Sequence, residues 1–265
     1  MSCFLFLIGR LVSLRWSLNK KGSSLPKKAY RKGRGEVRQT LSKVVSLEEA
    51  LTHITDGITL MYGGFGGIGS PPTLIDGILK KGVSNLDLIG NDTGFPDVGI
   101  GRLVTAGRVR SLITSHIGSN PNAGRLMTEG KMKVTFYPQG TLAEKIRAGG
   151  MGLGGILVDV GLGTIVEDGK QKIKVEGKTY MVEPALTAKV GIVYALKADE
   201  YGNLVYDKSA RNFNPLVAMA ADITIAEVEE IVPLGELDPE CIVTPGVYVD
   251  YIVKSEGVNW KWAWE

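Results

Sequence analysis

Residues 58–72 read Ile58-Thr59-Leu60-Met61-Tyr62-Gly63-Gly64-Phe65-Gly66-Gly67-Ile68-Gly69-Ser70-Pro71-Pro72. The stretch begins with a run of five mostly apolar residues, continues through a loop that contains five glycines, and ends at two prolines. A short apolar run that stops at glycine is typical of a buried β-strand, and proline is tolerated in the first turn of a helix. We therefore predict a strand, a glycine loop and a helix, the unit from which α/β folds are built.

The predicted helix start is also a candidate anion site. Unbonded N–H groups and the helix dipole both favour negative charge at the N-terminus of a helix. Ser70 is the predicted N-cap, and Pro71 is the predicted first helical residue because proline has no N–H to lose there. The expected guest is a phosphate or a carboxylate.

The glycine loop leaves two other interpretations open. Gly64 to Gly69 fits the dinucleotide pattern G-x-G-x-x-G, with Asp92 at a suitable distance beyond it, which would suit an NAD-dependent oxidoreductase. In that motif the helix is already running at the third glycine, whereas Pro71-Pro72 makes Gly69 a loop residue here. A tight turn that binds no ligand is the structural alternative.

The rest of the chain alternates between apolar runs and amphipathic segments. The first predicted helix begins at Ser46, which can cap it, with Glu49 three residues later. Near-continuous apolar strands that alternate with helices indicate an α/β fold around a mostly parallel sheet flanked by helices. Further strands are predicted at Leu86–Ile89, Val109–Ser115, Val134–Pro138, Val190–Leu196 and Asp222–Val228, and further helices at Thr73–Lys80, Leu142–Ala148 and Leu216–Ala221.

Residues 164–182 have a different pattern. Three short strands are predicted there, at Thr164–Val166, Lys172–Val175 and Thr179–Val182, separated by glycine-containing turns. Strands joined by such short turns form antiparallel hairpins. We predict a small β-meander that leaves the main sheet.

Two further polar loops follow predicted strands. Gly90–Gly94 follows the second strand, and Pro138–Leu142 follows the fourth. Ligands of open parallel sheets bind beyond the carboxyl ends of the strands, so these loops and the glycine loop can converge on one site. Asn91 and Gln139 carry neutral amides that can donate to a carbonyl or carboxylate oxygen. The alternative for each is a turn residue that bonds its own backbone.

Taken in order, these segments resemble family I coenzyme A transferases. Tyr62 is the one departure, since the family generally has a small apolar residue there. The resemblance covers residues 42–254 and implies a three-layer fold of the α subunit type found in bacterial acetate and acetoacetate CoA-transferases. The segments that carry it are Asp56–Pro71, Gly90–Gly94, Ser115–Gly118, Pro138–Glu144, Ile146–Gly150, Ser209–Asn214 and Thr244–Gly246.

The resemblance implies an enzyme that moves coenzyme A between an acyl-CoA (acetoacetyl-, acetyl-, butyryl- or succinyl-CoA) and a short-chain carboxylate. In the family, a glutamate in a Ser-Glu-Asn-Gly setting on the β subunit attacks the thioester, and ping-pong exchange passes through a glutamyl-CoA thioester. This chain lacks that setting, and Ser255-Glu256-Gly257 matches it only in part, beyond the resemblance. The implied enzyme is an α2β2 assembly in which this chain has no catalytic nucleophile and is active only with its β subunit.

The resemblance also assigns residues to a site. Asn91 and Gln139 would face the reacting acyl group and stabilise an oxyanion. Coenzyme A is a substrate, and no permanently bound cofactor is expected. An acyl-CoA-binding module without catalysis remains a third interpretation. The coenzyme A site would be lined by Gly63, Gly64, Phe65, Gly66, Gly67, Ile68 and Gly69.

Charge is unevenly placed along the chain. Residues 1–40 hold ten Lys and Arg against one acid, Glu36, while the remaining 225 residues hold 21 basic and 27 acidic residues, a net charge of about −6. A nucleic-acid-binding protein needs a basic face on its folded part, so the composition argues against that class. We expect residues 1–40 to be a disordered leader. Its composition fits a mitochondrial transit peptide, and the alternative is translated upstream sequence with a native start at Val37.

The remaining expectations concern a few residue types. Cys3 and Cys241 are too few for a disulfide framework or a zinc site, which favours a reducing compartment. The resemblance implies that this compartment is the bacterial cytoplasm. His53 and His116 are the only histidines; His53 is expected at the surface or a helix cap and His116 in a structural role, and two separated histidines build no metal site. No apolar stretch approaches the ~20 residues that span a bilayer. The tail 255–265 is rich in tryptophan and is interpreted as an edge strand, a partner contact or a frayed end.

Overall fold

The computed structural model describes residues 42–260, so the predicted leader and the tail beyond Trp260 lie outside the described residues. Its main sheet has eight strands: β1 (Thr59–Tyr62), β2 (Leu86–Ile89), β3 (Val109–Thr114), β4 (Lys133–Phe136), β8 (Ala188–Asp199), β9 (Leu204–Val205), β10 (Ala221–Val232) and β11 (Tyr251–Lys254). Neighbouring strands are parallel in the order β11-β10-β8-β1-β2-β3-β4, and β9 pairs antiparallel with β8. The prediction of a mostly parallel sheet is confirmed.

Helices join the strands within the described range. Short 3-10 turns are formed by Ile165–Glu167, Lys208–Arg211, Pro239–Cys241 and Gly246–Tyr248. Among residues 42–260 no helix is long and apolar enough to cross a membrane. The α-helices are α1 (Leu47–Leu51), α2 (Pro72–Lys81), α3 (Gly101–Thr105), α4 (Pro121–Thr128), α5 (Gln139–Gly150) and α6 (Asn214–Ala220).

Strand β1 shows why both faces of the sheet are covered. Leu60 and Tyr62 pack into a hydrophobic cluster with side chains of α1 to α4, while Met61 packs into a second cluster with side chains of α5 and α6. Successive side chains of a strand point to opposite faces, so a central parallel strand must be apolar throughout. The result is a helix–sheet–helix arrangement of three layers, which confirms the predicted fold class.

The chain reverses its direction of travel across the sheet at β1. Strands β1 to β4 follow one another toward one edge, and β8, β10 and β11 continue on the other side of β1. In open parallel sheets ligands bind outside the carboxyl ends of the strands, at such a reversal. The glycine loop therefore begins where this fold is expected to bind a ligand.

The small excursion is an antiparallel sheet in which the predicted strands Lys172–Val175 and Thr179–Val182 form, but the third strand and the strand order differ from the prediction. Its three strands are β5 (Gly155–Val158), β6 (Lys172–Val175) and β7 (Lys178–Pro184), in the antiparallel order β5-β7-β6, so the excursion is no meander. The predicted strand at Thr164–Val166 does not form. The hydroxyl oxygen of Thr164 instead accepts from the N–H of Val166 at 3.2 Å and caps a 3-10 turn, as threonine does when it competes with regular backbone pairing.

One helix start agrees with its prediction and one differs. Ser46 caps α1, accepting from the N–H of Glu49 at 3.1 Å, as predicted. At α2 the prediction of Ser70 as cap and Pro71 as first helical residue is wrong, because Pro71 is the extended N-cap residue and Pro72 begins the helix. A residue that precedes proline is pushed away from helical angles, and here that residue is Pro71.

Other bounds shift by a few residues. Helix α6 begins at Asn214 instead of Leu216, and Ala221 opens β10 instead of closing the helix. Helix α5 starts at Gln139, three residues before its predicted start, so Gln139 is its first residue. That shift matters because it places the Gln139 amide on a helix, where the backbone is regular.

Candidate functional site

A cavity of about 1400 Å³ lies at the carboxyl edge of the sheet. It collects Asn91, Gln139 and part of the glycine loop, as the sequence predicts, whereas Gly63, Gly64, Gly67 and Gly69 do not line it. Its walls come from the segments after β1, β2, β3 and β4 and from the segment before α6: Phe65, Gly66, Ile68, Asn91, Asp92, Phe95, Ser115, His116, Gly118, Ser119, Tyr137, Pro138, Gln139, Lys208, Ser209, Arg211 and Asn212.

The glycine loop bends back on itself and presents Phe65 and Gly66 to the cavity. Phe65 and Ile68 exchange backbone hydrogen bonds of 2.9 and 3.1 Å across the turn. The Phe65 side chain is 50% exposed, and a Cβ built on Gly66 would meet nothing within 4 Å. The N–H of Gly64 donates to Oδ1 of Asn212 at 3.0 Å. The loop is thus a fixed rim with open space above Gly66.

The anion at the start of α2 is a side chain of this protein. The N–H of Leu74, in the first turn, donates to Oε2 of Glu227 at 3.0 Å, and Ser255 donates to Oε1 at 2.6 Å. Burial raises the pKa of Glu227, against the opposing hydrogen bonds from Ser255 and the helix start. The expectation of a ligand phosphate or carboxylate at this helix start is therefore wrong: Glu227, on β10, already occupies it.

Close packing explains why the loop needs glycine at positions that do not face the cavity. A Cβ on Gly63 would lie 1.7 Å from Oδ1 of Asn214, and a Cβ on Gly69 would lie 2.5 Å from the carbonyl oxygen of Ala210. Gly69 also has φ +76°, which side chains rarely adopt. These glycines let the segment before α6 press against the loop.

The two predicted amides are hydrogen-bonded to each other. Nε2 of Gln139 donates to Oδ1 of Asn91 at 2.8 Å, and the Ser115 hydroxyl donates to the same oxygen at 3.1 Å. Nδ2 of Asn91 donates to Oδ2 of Asp92 at 2.7 Å. An amide nitrogen has two hydrogens, so each side chain keeps one N–H beyond this network. The arrangement can donate two fixed hydrogen bonds to a carbonyl or carboxylate oxygen.

Asp92 serves the protein and not a ligand. Its carboxylate accepts from Asn91, from the N–H of Gly66 at 2.9 Å and from the N–H of Gly94 at 2.7 Å. Its carbonyl oxygen accepts from the Tyr62 hydroxyl at 2.7 Å. Burial raises the pKa of Tyr62 well above its ordinary value, which keeps this hydroxyl protonated. Tyr62 thus supports the Asp92 loop, and Asp92 is not placed to bind a ribose as a dinucleotide site requires.

Tyr137 forms a cavity wall that is backed by buried charge. Nζ of Lys145, on α5, lies 3.9 Å from the centre of the Tyr137 ring and 2.6 Å from Oε2 of Glu183, on β7. Lys145 and Glu183 are each 2% exposed, and Lys170 also pairs with Glu183. Burial opposes ionisation of Glu183, but the hydrogen bonds from both lysines outweigh it and lower its pKa. The small sheet therefore braces this wall.

We predict that Glu183→Ala lowers the free energy of unfolding by about 3–5 kcal/mol, because it leaves the buried Lys145 ammonium unpaired. The measurement is urea unfolding of the assembled protein. Glu144→Ala, which breaks the exposed pair with Arg147, is the matched control, with an expected loss of about 1 kcal/mol or less. Equal losses would contradict the bracing role. Since the pKa of Glu183 is lower in the folded state, its stabilisation is full above the ordinary carboxyl pKa and is lost as the pH falls through the folded value.

The histidines hold different positions. His116 lines the cavity, and a Cβ on Gly118 would lie 2.8 Å from its Cε1 atom. His53 follows α1 and stacks on Tyr251, with ring centres 4.6 Å apart. Within the described part of the chain, no group of three or more His, Cys, Asp or Glu side chains is arranged to hold a metal ion.

The fold and the cavity define an α/β protein with a small-molecule site at the carboxyl edge of its sheet. A family model described as coenzyme A transferase matches residues 44–255. The chain belongs to the coenzyme A transferase family, and it is a transferase that acts as a subunit.

Relatives and solved structures agree with this assignment. The chain is 59% identical over 224 residues to a Bacillus subtilis protein named "Probable coenzyme A transferase subunit alpha". The alignment covers 84% of this chain and 98% of that protein. It is 52% identical over 215 residues to the acetate CoA-transferase subunit alpha of Escherichia coli, covering 81% and 98%. An acyl-CoA transferase from Escherichia coli, solved as a thioester complex with CoA, aligns with a TM-score of 0.73 and 26% identity over 82% of this chain. This chain spans 48% of that longer protein.

Several features of the site were not anticipated. Ser115, Tyr137, Lys208, Arg211 and Asn212 line the cavity without having been predicted as site residues. The segments Ser115–Gly118 and Ser209–Asn214 carried part of the family resemblance, and that was the available signal. Glu256, in the partial Ser-Glu match, is exposed and does not line the cavity.

Proposed function

We propose that this chain is the α subunit of a heteromeric CoA-transferase that exchanges coenzyme A between a short-chain acyl-CoA and a carboxylate. The observation that carries the proposal is the chemistry of the cavity wall. Asp92 is its one acidic residue among those described, and three N–H donors already hold that carboxylate. The wall offers amides to a reacting carbonyl but no uncommitted carboxylate, so the carboxylate nucleophile of this proposal comes from a partner chain.

The partner's glutamate carboxylate attacks the thioester carbonyl, and the CoA thiolate leaves to give an acyl-glutamyl anhydride. The thiolate then attacks the glutamyl carbonyl, which releases the first acid and leaves a glutamyl-CoA thioester. A second carboxylate attacks that thioester, and the same steps run in reverse. Each attack creates an oxyanion, and the free N–H groups of Asn91 and Gln139 donate to it.

The glycine loop has a separate role in this proposal. Residues Gly63 to Gly69 border the entry of the coenzyme A chain, with Gly66 and Phe65 as the surfaces that contact it. Gly66 is open to the cavity and Phe65 is half-exposed beside it. The other glycines act indirectly, by letting the segment before α6 pack against the loop.

The names of the relatives support the proposed substrate class. Relatives are named for acetate, for acetoacetyl-CoA with acetate or butyrate, and for succinyl-CoA with 3-ketoacids. We propose short acids of this group. The choice among them depends on contacts in a pocket that the β subunit completes, and the proposed assembly is α2β2.

The experiment is co-expression with the adjacent reading frame, purification of the complex, and an assay of exchange between acetoacetyl-CoA and labelled acetate. We expect a partner that carries Ser-Glu-Asn-Gly and exchange that requires both chains. The absence of exchange with acetate, butyrate, acetoacetate and succinate would refute the proposal. CoA binding without exchange would instead favour the binding-module alternative.

A further inference from the structure

The 3-10 turn Lys208–Arg211 places two cations at the mouth of the cavity. Lys208 and Arg211 both line it. The Lys208 side chain is 78% exposed, and its Nζ lies 3.5 Å from Asp207, its own neighbour in sequence. Among residues 42–260 no ion pair is recorded for Arg211. These cations are thus largely unneutralised by the protein.

The turn is fastened to the glycine loop by side-chain amides. Nδ2 of Asn212 donates to the carbonyl oxygen of Ile68 at 2.9 Å, and its Oδ1 accepts from the N–H of Gly64 at 3.0 Å. Nδ2 of Asn214 donates to the carbonyl oxygen of Gly69 at 3.0 Å. The backbone that carries the two cations is therefore fastened to the loop that borders the ligand.

The backbone of the turn is strained where the first cation stands. Lys208 has φ +42°, one of three non-glycine residues with positive φ in the described chain. Such conformations cost free energy and cluster at ligand clamps, where surrounding contacts maintain them. Here Nδ2 of Asn212 donates to the carbonyl oxygen of Ser209, the residue after Lys208, at 3.0 Å.

The local charge balance is opposite to that of the rest of the folded chain. Outside residues 1–40 the net charge is about −6. In the cavity wall, however, two cations face one acid, and the carboxylate of that acid, Asp92, already accepts from three N–H groups. A positive mouth on an acidic body attracts an anionic ligand end.

We propose that Lys208 and Arg211 bind the phosphate groups of coenzyme A. The inference rests on the proposed function, which places the thioester at the buried amide of Asn91 and leaves the charged end of the long CoA molecule at the mouth. Arginine offers paired N–H donors and lysine a compact charge, and both are suited to phosphate oxygens. The carboxylate of a dicarboxylic substrate is the competing anion, and the experiment separates the two.

The test compares Lys208→Met and Arg211→Met in the assembled complex, by calorimetry with CoA, 3′-dephospho-CoA and pantetheine, which has no phosphate. Methionine keeps the apolar stem and removes the charge. Lys189→Met is the control, since Lys189 is 73% exposed, pairs with Asp222 and does not line the cavity. We expect the Kd for CoA to rise by roughly ten-fold in each site variant, more at low salt, and the Kd for pantetheine to stay unchanged.

If the replaced residue contacts the 3′-phosphate, the variant complex also binds CoA and 3′-dephospho-CoA with more similar Kd values than the unmodified complex does. If the replaced residue contacts the diphosphate, the Kd values for CoA and 3′-dephospho-CoA rise by the same factor. Either pattern supports the proposal. A Kd for CoA within two-fold of the unmodified complex, equal weakening of pantetheine, or a change confined to the KM of succinate would overturn it. Because binding is measured directly, failure of exchange would count against the proposed function alone.

Discussion

Gln139→Ala is expected to lower the turnover of the assembled enzyme by roughly ten- to a thousand-fold. Gln139 is the first residue of α5, and its amide is held in place by a 2.8 Å hydrogen bond to Asn91. A fixed donor stabilises an oxyanion without the cost of reorganising at the moment of reaction. Its removal takes away that donor and one of the two hydrogen bonds that hold Oδ1 of Asn91.

The measurement is kcat for acetoacetyl-CoA and acetate exchange, with Gln171→Ala as the control. Gln171 is exposed and does not line the cavity, so that variant should match the parent. The double variant with Asn91→Ala should lose less than the product of the two single losses, because paired residues are coupled. Unchanged kcat in Gln139→Ala would contradict the oxyanion role.

Gly63→Ala is expected to lower the free energy of unfolding by about 3 kcal/mol or more. Overpacking contributes about 1–3 kcal/mol, and each buried polar group that loses its hydrogen-bond partner contributes about 1–3 kcal/mol. The new Cβ would stand 1.7 Å from Oδ1 of Asn214. Asn214 is fully buried; its Oδ1 accepts from the N–H of Tyr194, and its Nδ2 donates to the carbonyl oxygens of Gly69 and Ala210. It cannot yield without breaking some of these bonds, and total stabilities are only about 5–15 kcal/mol.

The measurement is chemical unfolding of the assembled protein, and Gly124→Ala is the matched control. Gly124 lies inside α4, and a Cβ there would meet nothing within 4 Å. Alanine is the better helix former, so that variant should be neutral or more stable by up to about 1 kcal/mol. If Gly63→Ala left the unfolding midpoint unchanged, the close packing of the segment before α6 would be refuted.

The parts of the fold that follow from local pattern were predictable. Leu60, Met61 and Tyr62 form one apolar run, and a strand that is apolar at every position belongs in the middle of a sheet covered on both faces. The glycine and amide loops come directly after parallel strands of one sheet, so their meeting at the carboxyl edge follows from parallel pairing. Asn91 and Gln139 were placed in one cavity by that reasoning alone.

The parts that depend on contacts between distant segments were not predictable. Glu227 reaches the start of α2 from 153 residues further along the chain than Leu74, and no periodicity records such a contact. Asn212 and Asn214 meet the glycine loop in the same way. The helix start therefore resembled a free anion site, although its anion is built into the fold.

The prediction of the small sheet was partly wrong for a local reason. Thr164 has strong strand propensity, but its hydroxyl bonds the backbone two residues on and turns the chain. Gly155, which opens β5, lies with its Cα facing the carbonyl oxygen of Glu183, where a Cβ would come within 2.5 Å. From the sequence, a glycine at that point indicates the end of a strand. In the structure it lets β5 approach β7 closely.

The most direct test of the central claim is to locate the covalent intermediate. The claim is that this chain builds the wall of the cavity and another chain brings the nucleophile. The complex is incubated with acetoacetyl-CoA, quenched in acid, and both chains are weighed by intact-mass spectrometry. We expect the partner to gain the mass of CoA less one water, on its glutamate, while this chain keeps its own mass. A CoA adduct on this chain, at Glu256 or elsewhere, would contradict it.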